Sequence, residues 1–254
     1  MYEFLKYTAV KMIPLKAYGV VHITYLVIGV LLSIIISKKL KSISIKSLNK
    51  ILFTLGVFLL ITELYKQLFY TYYIGQGLYQ WWIFPFQLCS IPMYFCLLIP
   101  FIKNKKVSHS IYIFLMSYNF LGGFISFLEP SGLIHEYVSL TVHAFLWHMI
   151  LVFIGFLITF NKNIKKEKKD FKYSIYLYFS LCLIAFIINN IFNKVSSNDI
   201  NMFFVGPNPS SIIVFKDISL KYGWFINDIL FIGLMTLGSY IIYRLFIKRN
   251  LTKM

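Results

Sequence analysis

Seven long apolar runs divide this chain of 254 residues, and the segments that join them alternate without exception between lysine-rich and lysine-poor. An α-helix of about 20 apolar residues crosses the roughly 30 Å hydrocarbon layer of a bilayer. The runs, read at 19–37, 51–73, 83–102, 109–128, 139–160, 173–192 and 223–246, have that length. Loops on the cytoplasmic side of a membrane carry the excess of lysine and arginine. Here the basic connections are KKLKSISIKSLNK (38–50), KNKK (103–106) and NKNIKKEKKDFK (161–172), together with the tail, whereas 74–82, 129–137 and 193–222 carry few basic residues. The pattern predicts an all-α, polytopic membrane protein with seven transmembrane helices, N-terminus outside and C-terminus inside. Residues 1–18 are expected as an outer interfacial segment, 19–246 as the seven-helix domain and 247–254 as a cytoplasmic basic tail.

Composition agrees, with 59% hydrophobic and 13% charged residues, against about a quarter charged in soluble domains. The formal charge of +16 invites a nucleic-acid reading. Because the cations cluster in the short loops, the positive-inside rule accounts for them, and no nucleic-acid partner is expected. A bias toward lysine, isoleucine, asparagine, tyrosine and phenylalanine suggests an AT-rich bacterial genome, hence a bacterial cytoplasmic membrane. Cys89, Cys96 and Cys182 all fall in apolar runs, so no disulfide framework is indicated. The N-terminal MYEFLKYTAVKMIPLKAYG does not resemble a cleaved signal peptide.

With the orientation assigned, the polar residues inside the runs form a pattern. At the helical rise per residue, Cys89 lies roughly 9 Å below the outer end of the third run, and His143 and His148 roughly 6 and 14 Å down the fifth. Glu63 and Asn119 lie about 15 and 14 Å from the outer ends of the second and fourth. Asn189, Asn190, Asn227 and Asp228 sit at the outer ends of the last two runs. Ionisable and amide groups at this depth are costly unless they face a cavity or one another. The expectation is a polar cup open to the outer surface, lined by the proline-interrupted stretch FPFQLCSIPMYFC (84–96). The long connection 193–222, with its GPNPSS turn signal at 206–211, is expected to be a lid or binding element.

Each polar group admits a structural and a chemical reading. Glu63, Lys66 and Gln67 share one helical side, as a neutralised buried pair or as a carboxylate serving acid–base work. His143 and His148 differ in direction by about 140°. That spacing does not suit a metal, and neither metal nor cofactor is expected; one of the two could act as an acid or base. Gln87, Ser90 and Tyr94 would form one polar stripe on a helical third run. Cys89 would share a face with Cys96, either as a small hydrophobe or as a nucleophile.

Four segments carry a family likeness: FPFQLCSIPMYF (84–95), YNFLGGFISFLEPSG (118–132), AFLWHMIL (144–151) and NMFFVGPNPSS (201–211). Together they resemble the YwaF-like bacterial membrane proteins, which look like relatives of the eukaryotic transmembrane protein 164 lipid acyltransferases. The resemblance runs from about residue 51 to 235. It implies a seven-helix fold with an intramembrane site for acyl transfer, acting on membrane phospholipids or fatty acyl chains. Where relatives look like LPLHLCDI, this chain has FPFQLCSI, so Cys89 matches the motif's cysteine while Gln87 and Ser90 replace its histidine and aspartate. His148 matches a family histidine, and Glu63 resembles a glutamate on the second helix. The reading is therefore a lipid acyltransferase or acyl-ester hydrolase with Cys89, His148 and Glu63 as catalytic residues. Gln87, Ser90, Asn119, His143, Asn189 and Asp228 are the candidate substrate-binding residues. The alternatives are a small-solute binding or transport protein and a non-enzymatic sensor or assembly factor.

Overall fold

The computed structural model describes residues 2–13, 15–209 and 212–251. Ser210 and Ser211 of the GPNPSS turn and the last three residues of the basic tail lie outside that range. Six helices among the described residues are long and apolar enough to span a membrane: Val20–Lys39, Ile45–Ile74, Lys105–Leu128, Val138–Phe160, Lys168–Phe192 and Trp224–Lys248. A shorter apolar helix, Ile91–Phe101, takes the third place in the order. Among the described residues no strand forms; the architecture is all-α.

We number the α-helices α1 (Tyr2–Thr8), α2 (Val20–Lys39), α3 (Ile45–Leu68), α4 (Ile91–Leu98), α5 (Lys105–Phe114), α6 (Phe120–Leu128), α7 (Val138–Phe160), α8 (Phe171–Phe192), α9 (Ile213–Tyr222) and α10 (Trp224–Leu251). A π-helical turn, Phe69–Ile74, extends α3, and another, Leu115–Asn119, joins α5 to α6 without a break. Ser44 starts α3 by accepting the Ser47 N–H at 3.1 Å, and Asn104 starts α5 by accepting two N–H groups. Both are the short polar caps that supply an acceptor to the orphan donors of a first turn.

The third apolar run departs from the expected continuous helix over 83–102. After the 3₁₀ turn Trp81–Ile83, residues 84–90 are not helical, and α4 begins only at Ile91. Two prolines explain this. Pro85 holds Phe84 in an extended conformation (φ −49°, ψ 131°). Pro92 lies in the first turn of α4, where its missing N–H has no intrahelical acceptor to lose. Pro92 thus starts a half-helix instead of loosening a full one. The expected stripe of Gln87, Ser90 and Tyr94 and the shared face of Cys89 and Cys96 disappear with the missing turns. A second difference is that the connection 193–222 contains α9, which turns into α10 at Gly223 with φ +86°, a conformation open to glycine.

Helices α5–α6 and α7 form the centre: 67% of the apolar window of each is buried, against 17% for α2 and α10. Small residues let the backbones approach, as in other membrane bundles. An added Cβ on Gly56 would stand 2.9 Å from the Leu97 nitrogen, and on Gly123 2.8 Å from Leu151 Cβ, closing α3 on α4 and α6 on α7. The amino-terminal segment straps the end of the bundle where α3 finishes and α7 begins: Leu5 is buried among Phe69, Tyr70, Ile83 and Leu140, and Met12 N–H donates to Glu136 O at 3.0 Å. At the opposite end, Asn161 and Asn163 both donate to Ile43 O, at 3.0 and 2.8 Å, knitting the two basic loops together.

Gly56→Ala should lower stability in detergent by about 1–3 kcal/mol through overpacking. Gly233→Ala, whose added methyl meets nothing within 4 Å, should not. Thermal unfolding of both variants reads the difference, and equal midpoints would contradict the close α3–α4 contact.

Candidate functional site

The geometry starts from Glu63, a carboxylate only 3% exposed in the carboxyl-terminal half of α3. Its Oε1 accepts from Lys66 Nζ at 2.9 Å and from Gln67 Nε2 at 2.7 Å. The i, i+3, i+4 spacing thus forms the cluster that the sequence implied. Oε2 is buried without a hydrogen-bond partner. Gln67 also donates to Ile83 O at 2.7 Å, and its Oε1 accepts from the Tyr79 hydroxyl at 3.0 Å, so the cluster is tied to the connection between α3 and α4.

Because α3 and α4 run antiparallel with Gly56 against Leu97, Glu63, two turns further along α3, comes level with the turn before α4. That turn carries Cys89 and the buried Ser90. Both Glu63 and Lys66 lie within electrostatic reach of Cys89. The cysteine is half-buried against a cluster formed by Leu59, Met93, Trp147 and Leu151. Its carbonyl, left over by the missing helix, accepts from Trp147 Nε1 at 3.0 Å. One turn before Trp147 on α7 stands His143, its ring centroid 5.3 Å away and its Nδ1 buried without a partner. His148 Nδ1 lies 2.8 Å from Ala144 O. A carbonyl only accepts, so Nδ1 carries the proton and Nε2 of the neutral ring keeps the lone pair. Lys66 is also within electrostatic reach of His143, His148 and His135. His135, in the loop between α6 and α7 and hydrogen-bonded to the Tyr70 hydroxyl at 3.3 Å, is held below its ordinary pKa by burial and by the Lys66 charge.

Among the described residues, Cys89, His148 and Glu63 are not hydrogen-bonded to one another. The Cys89 thiol makes no hydrogen bond to either histidine among the described residues. Neither Glu63 nor Asn119 holds His148. Asn119 Nδ2 donates instead to Leu115 O and Leu151 O, at 2.9 and 3.0 Å, locking the π-turn to α7; its Oδ1 is left buried without a partner.

The remaining polar residues hold a loop. Gln87 Nε2 donates to Asn201 O and its Oε1 accepts from Phe203 N, both at 2.9 Å. Asn189 Nδ2 donates to Met202 O at 2.9 Å and to Val205 O at 2.5 Å, and its Oδ1 accepts from Met202 N at 2.7 Å. Asp228 Oδ2 accepts from Gly206 N at 2.8 Å. These bonds support two residues that rarely adopt left-handed backbone, Phe203 (φ 56°) and Phe204 (φ 53°). Toward α8 and α10, then, the expected open cup is occupied by the chain's own backbone. Gln87, Asn189 and Asp228 are socket residues for residues 201–206. On the side bounded by α3, α4 and α7, Glu63 Oε2 and His143 Nδ1 are buried without partners; on the socket side Asn201 Oδ1 and Asn227 Oδ1 are too.

A sequence model of the TMEM164 family matches residues 17–243, a range that contains Glu63, Cys89, His143 and His148. The chain belongs to the TMEM164 family. No curated protein and no solved structure matches it. Within this family member, two grooves open on the flanks of the bundle. One, of about 670 Å³, runs between α2 and α7 past Met149, Ile150 and Phe153; the other, of about 550 Å³, lies between α8 and α10. Cys89, Glu63 and His148 line neither. Sequence reasoning missed Trp147, whose signal was its place one turn after His143. It also missed His22, which packs between the rings of Phe127 and Phe145 and accepts the Tyr18 N–H at 3.0 Å.

Removing the Gln87 amide leaves two backbone groups of the loop unpaired, at about 1–3 kcal/mol for each buried orphan. Gln87→Ala should therefore speed amide hydrogen exchange across 201–206 by about tenfold or more. Unchanged protection would show that the socket does not hold the loop.

Proposed function

We propose that this TMEM164 family protein is a YwaF-like lipid acyltransferase of a bacterial cytoplasmic membrane, working through Cys89. The observation that carries the reading is the buried cluster beside Cys89, in which Glu63 keeps one carboxylate oxygen without a partner and Lys66 holds a cation near three histidines. An isolated buried polar atom of this kind is costly to maintain. A substrate that brings a donor to Glu63 and a phosphate to Lys66 would relieve both, and phospholipid esters offer such groups. The apolar groove between α2 and α7 supplies a lipid-side face along which a tail can lie.

In this scheme His148 Nε2 takes the Cys89 proton, since an unassisted thiol is only a few per cent thiolate at neutral pH. The thiolate adds to the ester carbonyl carbon. The ester C–O bond then breaks, and the departing alkoxide takes the proton back from His148, leaving a lysophospholipid and a thioester on Cys89. An acceptor hydroxyl gives its proton to His148 and attacks the thioester, and the thiolate leaves; water in that place makes the reaction a hydrolysis. The two side chains are apart in the resting state, as catalytic contacts often are before substrate arrives. A second reading, lipid or solute binding without chemistry, draws on Gln87, which stands where relatives carry a histidine and is committed to the 201–203 backbone.

Incubation of the purified protein with mixed phospholipids, followed by intact-protein mass spectrometry, tests the reading. It predicts a fatty-acyl adduct that hydroxylamine removes, absent in Cys89→Ser and formed about 10²–10⁴-fold more slowly in His148→Gln. If the wild type stays unmodified, or Cys89→Ser is acylated equally, the thioester mechanism is wrong and binding without chemistry replaces it.

A further inference from the structure

At the lysine-rich end of the bundle, far from Cys89, the groove between α8 and α10 has a one-sided charge. Its walls are Ile175 and Phe179 on α8 and Gly233, Thr236 and Leu237 on α10, with the buried Phe171 ring at its end. From Phe171 to Phe179 it follows α8 for about 12 Å at the helical rise. The wall is open at Gly233, where an added Cβ would meet nothing within 4 Å. Only its mouth is charged, and there the groove is lined by Lys168, Lys169 and Lys172.

The acidic neighbours of that mouth are already engaged. Glu167 Oε2 pairs with Lys169 at 2.8 Å, and Asp170 Oδ2 lies 3.1 Å from His109 Nε2. Lys168 and Lys172 form no ion pair among the described residues; the Lys172 ammonium stands 5.1 Å from the Tyr173 ring centroid. On the opposite wall, Arg244 folds onto Tyr240, donating to its hydroxyl at 2.6 Å. The mouth thus presents Lys168, Lys169 and Lys172, with its two neighbouring carboxylates turned to Lys169 and His109, above a slot that offers a ligand almost nothing but hydrocarbon.

We infer that this groove binds one anionic phospholipid of the cytoplasmic leaflet, with an acyl chain along Ile175, Phe179 and Leu237 and its phosphate against Lys168 and Lys172. Basic pockets between helices on the cytoplasmic side are where anionic headgroups settle. The charge complementarity selects a lipid over a protein helix, which would not need cations at one end only. The assignment is independent of acyl transfer at Cys89, because no residue is shared between the two places.

Native mass spectrometry of the full chain, released from micelles holding equal phosphatidylglycerol and phosphatidylcholine, reads the site. Wild type should retain one phosphatidylglycerol in preference to phosphatidylcholine. Lys168→Gln with Lys172→Gln should reduce that preference by about tenfold or more. Gly233→Phe, which fills the slot and leaves every lysine in place, should abolish retention while the thermal midpoint stays at the wild-type value. Equal retention of the two lipids by wild type would overturn the headgroup assignment. Undiminished phosphatidylglycerol binding in Gly233→Phe would overturn the groove.

Discussion

A bilayer offers no hydrogen-bond partners, so every backbone group at membrane depth must be satisfied by the protein itself. Most of this structure can be understood from that constraint and from the two segments that challenge it. Residues 84–90 and 201–206 both lack α-helix, the second holding only a short 3₁₀ turn over Met202–Phe204, and each relies on side chains for what a helix would have supplied. Trp147 caps the carbonyl of Cys89, and the Tyr94 hydroxyl donates to Pro85 O at 2.7 Å. Gln87, Asn189 and Asp228 do the same for 201–206. The two segments therefore support each other: Gln87 lies in one and holds the other. Much of the polar content of this half of the bundle serves architecture first.

What is left after that accounting is small and specific. Glu63, Lys66 and Gln67 form a buried charged cluster whose formation in an apolar bundle costs desolvation that the pair's attraction only partly offsets. Such a pair is weak evidence for stability, and intramembrane charges are by default functional. Its position beside a cysteine on a non-helical turn, which Trp147 of α7 bonds and His143 approaches through Trp147, is why the proposed chemistry is placed here and not in the socket around Asn189. The half-helix matters for the same reason: a cysteine on a continuous helix would carry a carbonyl already bonded within the helix, with no need of Trp147.

The spans themselves were legible in the sequence because length, hydropathy and lysine alternation are local properties, and the long helices appear close to where the apolar runs place them. So were the Glu63–Lys66–Gln67 contacts and the divergence of His143 from His148, which follow from helical geometry alone. The third run was misread because hydrophobicity reports burial and not conformation. Pro85 and Pro92 did signal a break, but the position of Pro92 in a first turn depended on where the helix began. The socket was invisible for a different reason: Gln87 to Phe203 is a long-range pairing, and a single chain shows an amide at membrane depth without showing which backbone it meets.

Cys89, the proposed nucleophile, is the most exposed of the three thiols, while Cys96 and Cys182 are packing. Cys96 is 0% exposed and Cys182 5%, whereas Cys89 is half-buried. Alkylation of the folded, lipid-embedded protein with a membrane-permeant maleimide, followed by peptide mass spectrometry, compares the three directly. The account predicts that Cys89 is modified well before Cys96 and Cys182, and that added phospholipid slows it. If Cys89 proves as inert as Cys96, the turn is closed core and no site exists there.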